Sequence, residues 1–207
     1  AGEYTVEAGR PDVFTDEKLR LLKDYGVTRI CVNPQSFCDA TLERIGRRHT
    51  SADIYRAYEM AQKFGFDVNF DLIAGLTGET CEEFEESVDR AIALSPENIT
   101  VHTLCLKKGA QLKEEESFLN VERIQEMIAY SRERLSQSGY VPYYMYRQKY
   151  MAGNCENTGW TKPGKACVYN VDVMEEITDN LACGANAVGK KIFPNEGRIE
   201  RQGAPKD

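Results

Sequence analysis

The chain has 207 residues, 42% of them hydrophobic, which is enough apolar material to bury a core in one globular domain, with or without an appendage. A formal charge of -7 works against a polyanion such as DNA, so no nucleic acid is expected, although Arg44, Arg47, Arg48 and His49 form a basic patch suited to a small anion. No run approaches the roughly 18 consecutive apolar residues that cross a bilayer, and the opening AGEYTVEAGR is neither a secretory nor a transit segment, so a cytoplasmic protein without a membrane partner is expected.

The first 106 residues alternate short β-rich segments with amphipathic helical ones, the pattern of a parallel α/β sheet built from strand-helix units. A strand is predicted over 4–8, then a helix carrying Leu19, Leu21 and Leu22, opened by Thr15 as N-cap and stopped at Gly26. A second strand follows over 29–33, a short helical stretch over 41–45, and a longer helix opened by Thr50 or Ser51 that ends at Gly65, with Ile54, Tyr58 and Ala61 on one face. The third strand spans 67–73. Thr80 then caps an acidic first turn, Glu82 and Glu83, of a helix running to about Leu94, and the fourth strand spans 99–104.

After Lys107-Lys108-Gly109 the rhythm breaks. Residues 120–138 read as one long helix closed by Gly139, followed by a tyrosine-rich strand over 140–146, so a domain boundary is placed near Gly109, dividing the chain into 1–109 and 110–207. Beyond lie a Gly/Asn-rich loop over 151–164, a modest helix near 171–177, a glycine-spaced run over 184–189 and a polar, frayed tail over 195–207. The seven cysteines are odd in number and lack paired spacing, which reads as reduced thiols rather than a disulfide framework.

Strands of a parallel sheet covered on both faces should be nearly continuous apolar runs, yet each of these carries polar residues. Glu7 lies near the end of the first, Asn33 and Gln35 at the end of the second, Asn69 and Asp71 in the third, Thr100 and His102 in the fourth. In the last three the polar residues stand two apart and therefore share a face. If the sheet curls into a barrel or part of one, these groups converge near the carboxyl ends of the strands on a cavity suited to a small polar ligand. Any single one reads equally well as a satisfied core polar group; four strands repeating the arrangement favour the cavity. The turn Gly75-Leu76-Thr77-Gly78-Glu79-Thr80 sets two glycines ahead of a helix cap, either to let backbone amides approach a ligand or simply to make a tight connection.

Thr5-Val6-Glu7, Val32-Asn33-Pro34-Gln35-Ser36, Ile45-Gly46-Arg47-Arg48-His49-Thr50 and Asp71-Leu72-Ile73-Ala74-Gly75-Leu76, in this order and spacing, resemble successive elements of the radical S-adenosylmethionine (SAM) family of oxygen-independent coproporphyrinogen III oxidases. The likeness continues through Thr100-Val101-His102-Thr103-Leu104 into Tyr144-Met145-Tyr146-Arg147-Gln148-Lys149, which is similar to the secondary coproporphyrinogen dehydrogenase branch of Gram-positive bacteria. The resemblance implies an α/β fold: a partial (β/α) radical SAM barrel, strands three to six of six, with a small carboxy-terminal α+β extension covering the substrate.

It also implies cofactors and partners: S-adenosylmethionine, a [4Fe-4S] cluster whose Cys-x3-Cys-x2-Cys ligands are absent from this chain, a reductant, coproporphyrinogen III or a related porphyrinogen, and the missing amino-terminal part of the barrel. Position by position, Glu7, Gln35, Arg47 and Asp71 match S-adenosylmethionine contacts, and Ile73 and Gly75 the stretch beside the adenine. Arg147 and Lys149 are the expected propionate partners; a solvated basic strand edge is the alternative. The implied reaction removes hydrogen from propionate side chains and releases carbon dioxide, giving vinyl groups in haem biosynthesis. Relatives that bind or transfer haem supply a second reading, and a non-catalytic truncated domain a third. Thr77 departs from the proline usual after Gly-Leu, and the residues before Cys183-Gly184-Ala185-Asn186-Ala187 lack the family's aromatic and histidine groups, which bears on substrate more than on cofactor.

Overall fold

Three threonines start the helices that set the strand order. Thr15 accepts from Lys18 N, while Thr50 and Thr80 form reciprocal capping boxes with Asp53 and Glu83, satisfying orphan amides at each helix start. The computed structural model describes residues 2–105, 120–147 and 155–205, and its contacts divide the chain into two units, Ala1–Ala166 and Cys167–Asp207.

In the first unit β1 (Thr5–Gly9), β2 (Arg29–Gln35), β3 (Asp67–Ala74) and β4 (Asn98–Thr103) lie side by side in that order and parallel. Helices α1 (Asp16–Asp24), α2 (Asp39–Arg44), α3 (Ser51–Lys63) and α4 (Cys81–Leu94) carry the crossovers that a parallel order requires. One face of the sheet, with Ile30, Val32, Val68, Phe70, Leu72, Ile99 and Val101, is buried with Leu19, Ile54, Ala57, Phe84 and Val88 in a single core. The Phe37 and Phe70 rings meet edge-on there at 6.1 Å.

Beyond β4 come α5 (Val121–Gln137), β5 (Val141–Tyr146) and β6 (Asn157–Thr161). β6 enters antiparallel between β4 and β5, giving the order β1-β2-β3-β4-β6-β5. The loop expected over 151–164 therefore contains a strand, every residue of which is buried because it is paired on both sides. Gly109 lies outside the described residues. Helix α5 and both later strands pack with the sheet, so the first unit runs on to Ala166.

In the second unit, α6 (Val168–Met174) precedes a hairpin of β7 (Val188–Phe193) and β8 (Arg198–Gly203). The tail expected to fray is thus paired to Gly203. Ile192 faces Ile199, Lys191 faces Glu200, and the Arg198 guanidinium lies 4.1 Å from the centre of the Phe193 ring. Among the described residues no helix is long and apolar enough to cross a membrane.

Candidate functional site

Register fixes which side chains share the face turned away from the helices. Glu7 pairs with Cys31, Cys31 with Asn69, Asp71 with Thr100 and Ile73 with His102. Directly opposed residues point the same way, so these form one polar face, which β6 and β5 extend by setting Gly159 opposite Thr100 and Tyr144 opposite Gly159.

At the amino end of the strands Arg29 closes this face. Its side chain is 4% exposed, hydrogen-bonds Asn98 Oδ1 and, at 2.9 Å, Lys165 O, and stands 3.4 Å from Glu3 and 3.6 Å from Asp67. A buried guanidinium so surrounded is a structural clamp. Toward the carboxyl end the face opens: Asp71 Oδ1 accepts from Asn69 Nδ2 at 2.8 Å and lies 3.6 Å from His102 Nε2, while the Asp71 and His102 side chains keep 18% and 28% of their surface. That exposure separates them from satisfied core groups and makes the remaining carboxylate lone pairs available to a ligand.

The other expected residues fall in different places. Glu7 is on the same face, exposed, on the outer strand β1 and two strand spacings from β3, roughly 10 Å. Gln35 is buried and has φ +68°, a backbone conformation costly for a non-glycine residue, just past a register shift in β2. The preceding carbonyl, Pro34 O, accepts from His49 Nε2 at 3.1 Å, so His49 anchors that bend. Arg47 is half-buried near Arg10 and Asp12; burial first, then Arg10, pulls its pKa below the usual value. Ile73 is half-buried on the polar face beside His102. Gly75 has φ +87°, and a Cβ there would come within 2.7 Å of Ile124 Cδ1, so packing of α5 demands this glycine independently of any ligand.

Arg147 is not brought to Asp71. It shares Glu156 with Arg132 of α5, at 3.2 and 3.8 Å, against Gln125, Ile128 and Ala129 on the helix-covered side. Lys149 lies outside the described residues. Sequence reasoning missed Tyr144 as part of the polar face, and Gly159 beneath it; the signal was the period-two alternation of Tyr144 and Tyr146 in β5.

The donor set fits S-adenosylmethionine. Carboxylates at Glu7 and Asp71 can accept from ribose hydroxyls or an amine, and Asn33 Oδ1 is buried without a partner. The iron–sulfur cluster does not fit, since among the described residues no three His, Cys, Asp or Glu side chains gather into a metal site.

Residues 3–91 match the family model of the radical SAM superfamily. Over 209 aligned positions, 99% of this chain, the sequence is 40% identical to the oxygen-independent coproporphyrinogen-III oxidase-like protein HemZ of Bacillus subtilis, of which it spans 42%. Over 106 residues, 51% of the chain and 28% of the relative, it is 39% identical to the heme chaperone HemW of the same organism. The chain thus spans less than half of these curated relatives. Its fold matches that of coproporphyrinogen III oxidase (HemN) from Escherichia coli with a TM-score of 0.75 at 19% identity, over 99% of this chain and 46% of that one, which makes the curved sheet part of a radical SAM barrel. Residues 3–91 thus carry the radical S-adenosylmethionine superfamily match, and over nearly its whole length the chain is similar to an oxygen-independent coproporphyrinogen oxidase-like member of that superfamily.

Proposed function

We propose that this chain forms the S-adenosylmethionine-facing wall of a protein that oxidatively decarboxylates propionate side chains of coproporphyrinogen III or a related porphyrinogen. The observation that carries the reading is the polar face of β1–β4, clamped by Arg29 at one end and open at Asp71 and His102 at the other. Glu7 and Asp71 accept from ribose or amine, Gln35 offers both donor and acceptor, Arg47 pairs with a carboxylate, and Ile73 and Gly75 run beside the adenine. Bound beside a cluster held outside the described residues, S-adenosylmethionine would supply the one-electron chemistry; this chain's residues would hold and orient it. Each propionate loses a hydrogen atom, carbon dioxide and one electron to become a vinyl group, the electron passing to an acceptor outside this chain. Arg147, the described candidate for a propionate, is held by Glu156 on the helix-covered side and would have to leave that ion pair, worth about 0–1 kcal/mol, and reach round to the polar face to meet one.

Haem handling is the second reading, favoured by the 39% identity to a relative named as a heme chaperone. The protein at its full natural length, reconstituted anaerobically and reduced, separates the two. Formation of 5'-deoxyadenosine with release of carbon dioxide from coproporphyrinogen III, both reduced at least tenfold in Asp71→Asn and Glu7→Gln, supports decarboxylation. Tight haem binding with no carbon dioxide released supports haem handling instead.

A further inference from the structure

The polar face holds a hydrogen-bond chain that crosses four strands and ends on Asp71. Tyr144 Oη lies 3.3 Å from Thr100 Oγ1, Thr100 Oγ1 donates to Asn69 Oδ1 at 3.2 Å, and Asn69 Nδ2 donates to Asp71 Oδ1 at 2.8 Å. Thr100 has one hydroxyl hydrogen and uses it on Asn69, so Tyr144 must be the donor to Thr100. Every donor then points the same way, toward the carboxylate, the order in which successive dipoles polarise one another.

The sequence makes room for this reach. Tyr144 is on β5, and its ring crosses β6 at Gly159, where any Cβ would sit 1.9 Å from Tyr144 Cε1. The hydroxyl therefore arrives at β4 over the top of an intervening strand. Tyr144 is 8% exposed, Thr100 1% and Asn69 6%, so water does not compete for these bonds. Burial also raises the Tyr144 pKa, keeping the phenol a donor across the physiological range.

We propose that Tyr144, through Thr100 and Asn69, is a positioning residue for Asp71, fixing which carboxylate lone pairs face the ligand. Asp71 Oδ1 is occupied from within the protein, so Oδ2 is the atom presented to a ribose hydroxyl or amine. This rests on the reading of Asp71 as an S-adenosylmethionine contact, and two independent readouts keep the claims apart.

The first readout needs no ligand. In the full-length protein labelled with 15N-asparagine, the Asn69 side-chain amide resonance is expected to shift in Tyr144→Phe and in Thr100→Val, and to remain near its original position in Thr100→Ser, which retains the hydroxyl. An Asn69 resonance unmoved by Tyr144→Phe overturns the chain. The second readout is binding of S-adenosylmethionine without turnover, by calorimetry. Tyr144→Phe and Thr100→Val are expected to weaken it about threefold to tenfold, as loss of one buried hydrogen bond does, with Thr100→Ser close to the parent. In the Asp71→Asn background Tyr144→Phe is expected to have no further effect. Additive losses in that background overturn the positioning role. If instead Asp71→Asn binds as the parent does, the ligand assignment of Asp71 fails and the positioning role toward this cofactor fails with it, while the Asn69 resonance still decides whether the chain exists.

Discussion

Glu79 shows how a residue outside the polar face can govern it. The side chain is 2% exposed, stands 2.7 Å from Ser36 Oγ and leaves Oε2 without a partner, while Ser36 Oγ is 3.2 Å from Ser87 Oγ on α4. Together these groups join the end of β2, where Gln35 sits, to the turn after β3. Burial raises the Glu79 pKa from 4.5 to about 7. Because the folded value lies above the unfolded one, the native state holds the proton more tightly. The resulting stabilisation is complete below about pH 4.5 and is lost as pH rises through about 7. Glu79→Gln, neutral throughout and able to hydrogen-bond Ser36, is expected to match the parent at about pH 4 and to exceed its stability at about pH 8 by about 1–3 kcal/mol. Urea unfolding at both pH values checks this, and an identical difference at the two would mean that Glu79 does not titrate in that window.

At the scale of elements, α4 begins where Glu79 ends, so its cap fixes the same turn. Thr80 Oγ1 accepts from Glu83 N at 3.2 Å and Glu83 Oε2 accepts from Thr80 N at 2.8 Å. Thr80→Ala removes the first bond and is expected to cost about 1 kcal/mol, seen as a lower urea midpoint at unchanged slope, with Thr80→Ser losing much less. Such caps are why the first half of the chain was legible. Thr15, Thr50 and Thr80 mark helix starts by local chemistry, and β1–β4 alternate with helices whose apolar spacing is local too. β6 was not legible: Asn157-Thr158-Gly159-Trp160-Thr161 has the composition of a turn and becomes a strand because β4 and β5 pair with it on either side. The hairpin β7–β8 was hidden by charge, since Lys190, Lys191, Glu200 and Arg201 read as a solvated tail until cross-strand pairing is known. The site divides likewise. Asn69, Asp71, Thr100 and His102 announce themselves as polar residues two apart in apolar strands. Tyr144 does so only weakly: the alternation of Tyr144 and Tyr146 puts both on one face of β5, but the reach over Gly159 depends on the pairing of β5 with β6.

The sheet as a whole has two outer strands among those described, β1 and β5, and they differ in how well they are guarded. β5 carries Pro142, which has no amide to donate, and such edges pair poorly with another chain. β1 has no proline or lysine, and on its helix side Val6, Ala8, Val13, Phe14, Leu19 and Leu22 line an apolar groove. Nearby, Tyr4, Leu21 and Tyr25 keep 50%, 55% and 73% of their surface exposed. An outer strand beside exposed apolar side chains forms a template for a further strand and helix. The 207-residue chain on its own is therefore expected to self-associate as its concentration rises, through β1 rather than β5. Sedimentation velocity over a range of concentrations tests this, with Val6→Lys placing a charge on the β1 edge and Met145→Lys a charge on β5. Association relieved by the first substitution and untouched by the second places the contact at β1; a parent chain that stays monomeric throughout the range shows that five short residues of open edge are too few to recruit a partner.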